Sequence, residues 1–160
     1  MKKFILSILF LLFTNSVGFA DIIEIDPNGF HGYEWGADFE TISKDKNLTF
    51  LNIADMSKES RYRNESDSKK GFEYKYNFYK NRFSSVTITI DDEATYRTIV
   101  AELVTKYGFP EQPRPRDNYF TWKLPNTHIA LMTHFYGEYP FGMIFISGTQ
   151  IDKEKSIKQE

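Results

Sequence analysis

The chain has 160 residues and no cysteine. Disulfide staples, thiol nucleophiles, thiolate metal sites and lipid attachment of the bacterial lipoprotein type are therefore excluded, and stability has to come from packing. Histidine is scarce, with three in all. His128 and His134 would share a strand face, but six residues of strand span about 20 Å, too far to chelate one ion. His31 sits in a turn region, so no metal site is expected. Charge of one sign is also missing, with 20 Lys+Arg against 22 Asp+Glu and a formal net charge of −2. That balance argues against non-specific binding to nucleic acid. Phosphate-cradling glycine loops and the Gly-x-Gly-x-x-Gly pattern are absent. Ser84 and Ser85 lack the strand–Gly-x-Ser-x-Gly–helix setting of a nucleophile. Asp91, Asp92 and Glu93 cluster, but a helix start gives them a sufficient structural role. No catalytic residue and no cofactor is assigned.

Long apolar runs occur once, in MKKFILSILFLLFTNSVGFA. Lys2 and Lys3 precede the run Phe4 to Phe13, and Gly18 and Ala20 are the small residues a signal peptidase requires. Ten helical residues rise about 15 Å, half of a hydrocarbon core of about 30 Å, so a stable membrane span is not expected. The sequence predicts a signal peptide over 1–20, cleaved after Ala20, and a periplasmic or secreted product. Loss of Lys2 and Lys3 takes the net charge two units lower, to −4. Residues 21–152 are long enough for one domain, and 153–160 read as a charged tail that frays.

Aromatics are abundant, at 15 Phe, 10 Tyr and 2 Trp. Tyr33 and Trp35 alternate as on a half-buried strand, and Gly36 breaks it. Asp38 is placed to cap a short helix near 38–46, with Phe39 and Ile42 on one side. Leu48 to Ile53 reads as a strand, and the polar stretch Ser57 to Gly71 as a solvated loop. Phe72, Tyr74, Tyr76 and Phe78 have period two, Lys80-Asn81-Arg82 suits a turn, and Val86, Ile88 and Ile90 face inward on the return strand. Tyr96, Ile99, Val100, Leu103, Val104 and Tyr107 form one stripe at helical period, predicting a long helix over about 91–107. Gly108 and Pro110 end it, and Phe109 is placed to fold back on Val104.

Beyond that stop, Glu111 to Arg116 (EQPRPR) reads as an extended connector, because alternate prolines disfavour ladder pairing. Phe120, Trp122 and Leu124 then alternate on a strand. Ile129, Leu131, Thr133 and Phe135 share a face of the next. In the last strand either Gly142, Ile144 and Ile146 or Phe141, Met143 and Phe145 face the core. The fold class is α+β: an antiparallel sheet of about five to seven strands, with the long helix on one face.

The spacing of Tyr33, Trp35, Gly36 and Ile42, followed by the aromatic hairpin, then Leu103, Tyr107, Gly108 and Pro110, then Trp122, resembles a loose group of small secreted Gram-negative proteins of uncharacterised function. The helix–Gly-x-Pro–strand unit is also faintly similar to outer-membrane assembly lipoproteins of the SmpA/BamE type, although this chain lacks their lipid-bearing cysteine. What the resemblance implies is architecture, since each matching residue serves as a fold determinant.

Three functions stay open. The first is a non-catalytic periplasmic interaction module that binds another envelope protein, with inhibitors and immunity proteins in that class. The second is a carrier of a small apolar ligand, and the third a hydrolase with a dispersed site. If the molecule binds a partner, Arg114, Arg116, Tyr119 and Trp122 are the candidate contacts, since arginine and aromatic side chains dominate such surfaces.

Overall fold

The computed structural model describes residues 25–54, 58–64, 72–114, 119–133 and 142–157. It is α+β. A small antiparallel sheet contains β1 (Ile25–Asp26), β2 (Gly29–Phe30) and β3 (Tyr33–Glu34). The main sheet has eight strands: β4 (Thr49–Ile53), β5 (Ser60–Arg63), β6 (Phe72–Tyr79), β7 (Arg82–Ile90), β8 (Glu111–Arg114), β9 (Tyr119–Lys123), β10 (Thr127–Thr133) and β11 (Gly142–Gly148). Their order across the sheet is β4-β5-β6-β7-β11-β10-β9-β8, and every neighbouring pair is antiparallel.

Eight strands exceed the five to seven expected because two stretches read as irregular pair with neighbours. Ser60–Arg63 lies inside the presumed solvated loop, yet it bridges β4 and β6. Its register puts Tyr62 beside Tyr76 on the core face and Arg61 beside Asn77 on the other. A polar strand with one inward aromatic looks like loop until its partners are in place. Glu111–Arg114, read as a connector, is the edge strand β8. A register shift separates its Glu111 and Arg114 pairings with β9. Proline is tolerated there because an edge strand donates on one side only and a bulge leaves residues unpaired.

The β6–β7 hairpin builds the centre of the sheet. Tyr79 pairs with Arg82 across Lys80 and Asn81. Both loop residues have positive φ, 51° and 60°, the twist that matches two right-handed strands. Tyr74, Tyr76, Phe78, Val86, Ile88 and Ile90 are buried on one face. In β11 the inward set is Gly142, Ile144 and Ile146, while Phe145 faces out. Ile129, Leu131 and Trp122 continue the core across β10 and β9.

Three helices accompany the sheets: α1 (Phe39–Lys46), α2 (Glu93–Tyr107) and α3 (Thr149–Ser156). The helix expected to be long has 15 residues, about 22 Å at 1.5 Å per residue. Ile99 and Leu103 are buried, and Tyr96, Val100, Val104 and Tyr107 pack partly buried against the same core. Asp92 is its N-cap, accepting from the Thr95 amide at 2.8 Å. Gly108 closes it, with its N–H on the Val104 carbonyl at 2.9 Å.

Three local expectations are corrected. Phe109 does not fold back on Val104 and is 91% exposed. Gly108 has φ 80° and ψ −172°, outside the left-handed basin of a Schellman closure, so the chain departs extended. Asp38 makes no side-chain cap on α1; its backbone forms an isolated bridge with Arg82. The presumed charged tail begins inside α3, where Ile151 and the Lys155 ion pairs fix Thr149–Ser156.

The small sheet is fastened to one end of this framework. The Trp35 indole donates to Thr127 Oγ1 at 2.7 Å, and that hydroxyl also reaches the Pro27 carbonyl at 2.7 Å. The Tyr107 hydroxyl donates to the Ile25 carbonyl at 2.8 Å.

Candidate functional site

The polar residues most like a catalytic group meet where β7 bulges. Asn77 pairs with Ser85 and Phe78 with Phe83, leaving Ser84 as the additional residue. The single hydroxyl proton of Ser84 is shared between Glu59 Oε1 at 2.5 Å and the Asn77 carbonyl at 2.9 Å. Ser85 approaches the same carboxylate oxygen at 3.3 Å. Lys155 of α3 donates to Glu59 at 2.6 Å and to Asp152 at 3.2 Å. Serine, lysine and carboxylates in one cluster have the ingredients of nucleophilic chemistry. The arrangement does not expose them: Ser84 and Glu59 are buried, and the Lys155 ammonium is taken up by two carboxylates. What it does is tie α3 and the segment before β5 to the bulge.

Two open clefts flank α3. One, of about 480 Å³, is lined by Trp35, Gly36, Arg82, Gly148 and Glu154 among others. Its two strongest donors are engaged, Trp35 with Thr127 and Arg82 with Glu154. The other, of about 470 Å³, includes Lys123, His128 and Asp152. Among the described residues no three His, Asp or Glu side chains gather to hold a metal ion. His31 stacks on Phe30 with centroids 4.0 Å apart. His134 lies outside the described residues.

Of the candidate partner contacts, the two whose side chains are described, Tyr119 and Trp122, lie on opposite faces of β9. Trp122 is 4% exposed on the core face of β9, and its indole donates to the Gly108 carbonyl at 2.8 Å. It is a fold determinant and offers a partner no face. Tyr119, three residues earlier on the same strand, points to the opposite face and is half-buried. Arg114 ends β8 opposite Tyr119, and Arg116 lies outside the described residues.

A different surface has the character of a binding edge. All five residues of β4, Thr-Phe-Leu-Asn-Ile, are exposed, and β4 is the outermost strand of the sheet. Phe50 is 54% exposed, Leu51 36% and Ile53 57%. The strand holds no charge and no proline, the usual guards of an edge. The opposite edge, β8, carries Pro113, a register shift and the Glu111–Lys123 ion pair at 2.7 Å.

The two faces beside β4 differ. Phe50 pairs with Tyr62, ring centroids 5.5 Å apart, and Tyr62 meets Phe39 at 4.6 Å and Phe78 at 5.5 Å. An aromatic path thus runs from the core to the edge. On the other face Thr49 sits opposite Arg63 and Asn52 opposite Arg61. Leu51 is the additional residue between Phe50 and Asn52. Arg63 lies 3.8 Å from Glu73, which also holds Lys75 at 3.2 Å. In the sequence, Thr49–Ile53 reads only as a strand and Arg61 only as loop. The signal available was the uncharged run TFLNI followed closely by an alternating Arg-Tyr-Arg.

No family model matches the sequence, and no curated protein matches it significantly. Among solved structures, a cysteine-rich secretory protein from Staphylococcus aureus aligns with a TM-score of 0.43 at 10% identity, covering 73% of this chain and 45% of that one. The chain thus spans less than half the length of that structure, and a likeness at this score carries no argument about function.

Proposed function

We propose that this chain is a non-catalytic protein-interaction module of the bacterial envelope, and that it binds its partner by strand addition at β4. The observation that carries the reading is the exposure of Phe50, Leu51 and Ile53 on an uncharged edge strand. An open edge offers main-chain donors and acceptors to an extended segment, and the side chains beside it give selectivity. Inhibitors and immunity proteins of cell-wall enzymes belong to this class. The carrier reading is less well supported, because Ile99, Leu103, Val86, Ile88, Ile144 and Ile146 fill the space between α2 and the sheet.

Placement in the envelope rests on the N-terminal lysines, apolar run and small residues of 1–20. Among the described residues no helix is long and apolar enough to cross a membrane. Mass spectrometry of protein from the periplasm or medium should give an N-terminus at Asp21, and a soluble cytosolic product beginning at Met1 would refute export.

Binding is tested by pairing capture with stability. A photo-reactive residue in place of Asn52 should cross-link a discrete envelope protein. Phe50→Lys with Ile53→Lys should abolish that cross-link with only a small fall in melting temperature, because both side chains are more than half exposed. Undiminished cross-linking by the double variant sinks the reading.

A further inference from the structure

We infer that the segment received by β4 alternates apolar and acidic side chains, the apolar ones meeting Phe50 and Tyr62 and the acidic ones meeting Arg61 and Arg63. This rests on the strand-addition reading and adds the chemistry of the partner. An added strand continues the pleat, so its side chains fall alternately on the two faces of the sheet. Residues opposite Phe50 and Ile53 extend the face on which Phe50, Tyr62, Phe39 and Phe78 touch. Residues opposite Thr49 and Asn52 extend the face that carries Arg61 and Arg63.

That second face is cationic. Arg61, Arg63 and Lys75 share it with Glu73, while Glu59, two residues before Arg61, is neutralised by Lys155. Among the described residues Arg61 has no ion-pair partner, and its Nε is buried without an acceptor. The β4 residues beside the arginines, Thr49 and Asn52, are short, so a guanidinium can lie across them toward the edge. The incoming strand would sit two strand spacings, about 9.6 Å, from β5. An arginine and a glutamate, each several bonds long, close that gap between them, and the planar guanidinium takes a carboxylate on two parallel N–H groups. A second copy of the chain is a poorer occupant. Antiparallel pairing of β4 with its own copy would set two Arg61–Arg63 rows facing one another about 14 Å apart, with like charges and no added carboxylate.

The test uses two labelled nine-residue peptides, one alternating Val and Glu, the other alternating Val and Lys, titrated into the purified protein at low salt. Fluorescence anisotropy reads affinity and amide hydrogen exchange reads where the peptide lies. The Val/Glu peptide should bind at least about tenfold tighter than the Val/Lys peptide, lose affinity as salt is raised, and protect the amides of Thr49–Ile53. Arg61→Gln should erase most of that preference, and Arg61→Lys should keep much of it. Equal affinities with protection at Thr49–Ile53 overturn the acidic partner and leave strand addition standing. Protection elsewhere, or no binding by either peptide at millimolar concentration, overturns both. A dimer of the free protein that already protects Thr49–Ile53 makes the second copy the occupant and refutes the inference.

Discussion

Leu103 shows how a helical stripe becomes stability. It lies in the second half of α2 at 3% exposure, within the same cluster as Val86, Ile88 and Ile144. Leu103→Ala removes buried methyl groups and leaves a hole that close-packed neighbours only partly fill. Chemical denaturation should show a loss of about 2–5 kcal/mol. A loss under about 0.5 kcal/mol would place the side chain at the surface. Trp122 carries the opposite lesson. Its residue type suited a partner surface, yet its indole is spent inside on the Gly108 carbonyl, at the point where α2 ends.

At the scale of elements, α2 and α3 are held in different ways. α2 begins with Asp92, whose carboxyl is held below its ordinary value by its hydrogen bonds with Thr95, side chain first and backbone second. A carboxylate with a lowered folded-state value stabilises above its unfolded value, and that contribution is lost as the pH falls through the folded value. Asp92→Ala should therefore lower the melting temperature at neutral pH, and the gap between the two proteins should close on acidification. A gap that persists at low pH assigns the loss to something other than the charged cap. α3 depends instead on an interaction between residues 96 apart, Glu59 and Lys155. Removing one partner strands the other in a buried site, at a cost of about 3–5 kcal/mol. Lys155→Met alone should show that loss, and Glu59→Leu combined with Lys155→Met should recover a good part of it. If the double variant is no more stable than the single, the pair is not the unit that holds α3.

For the whole molecule, the main sheet has two edges that are treated differently. β8 is guarded by Pro113 and an ion pair, whereas β4 exposes apolar side chains on an uncharged strand. The comparison of edges gives a direct prediction. Arg114→Ala with Arg116→Ala should leave partner capture unchanged, since Arg114 ends β8, the edge opposite β4. Phe50→Lys with Ile53→Lys should abolish capture. A loss of more than about tenfold in affinity from the arginine pair, about 1.4 kcal/mol, would move the site to the β8 end of the sheet.

The elements legible in the sequence were those written in local terms. The β6–β7 hairpin follows from period two and a turn residue that accepts positive φ. The α2 limits follow from Asp92, Gly108 and Pro110, and its inward face from the spacing of Ile99 and Leu103. The α+β class follows from those elements together. What only the tertiary structure decided depends on contacts between distant residues. Ser60–Arg63 and Glu111–Arg114 carry weak local signals, and they are strands because a neighbour supplies the hydrogen bonds and, for β5, a core face for Tyr62. Glu59 is buried because Lys155 returns to it from the other end of the chain. The candidate site is of this second kind. Thr49–Ile53 looks like any short strand, and no property of its five residues states that it will be outermost. Strand order makes it an edge, and strand order is settled by the packing of the whole sheet.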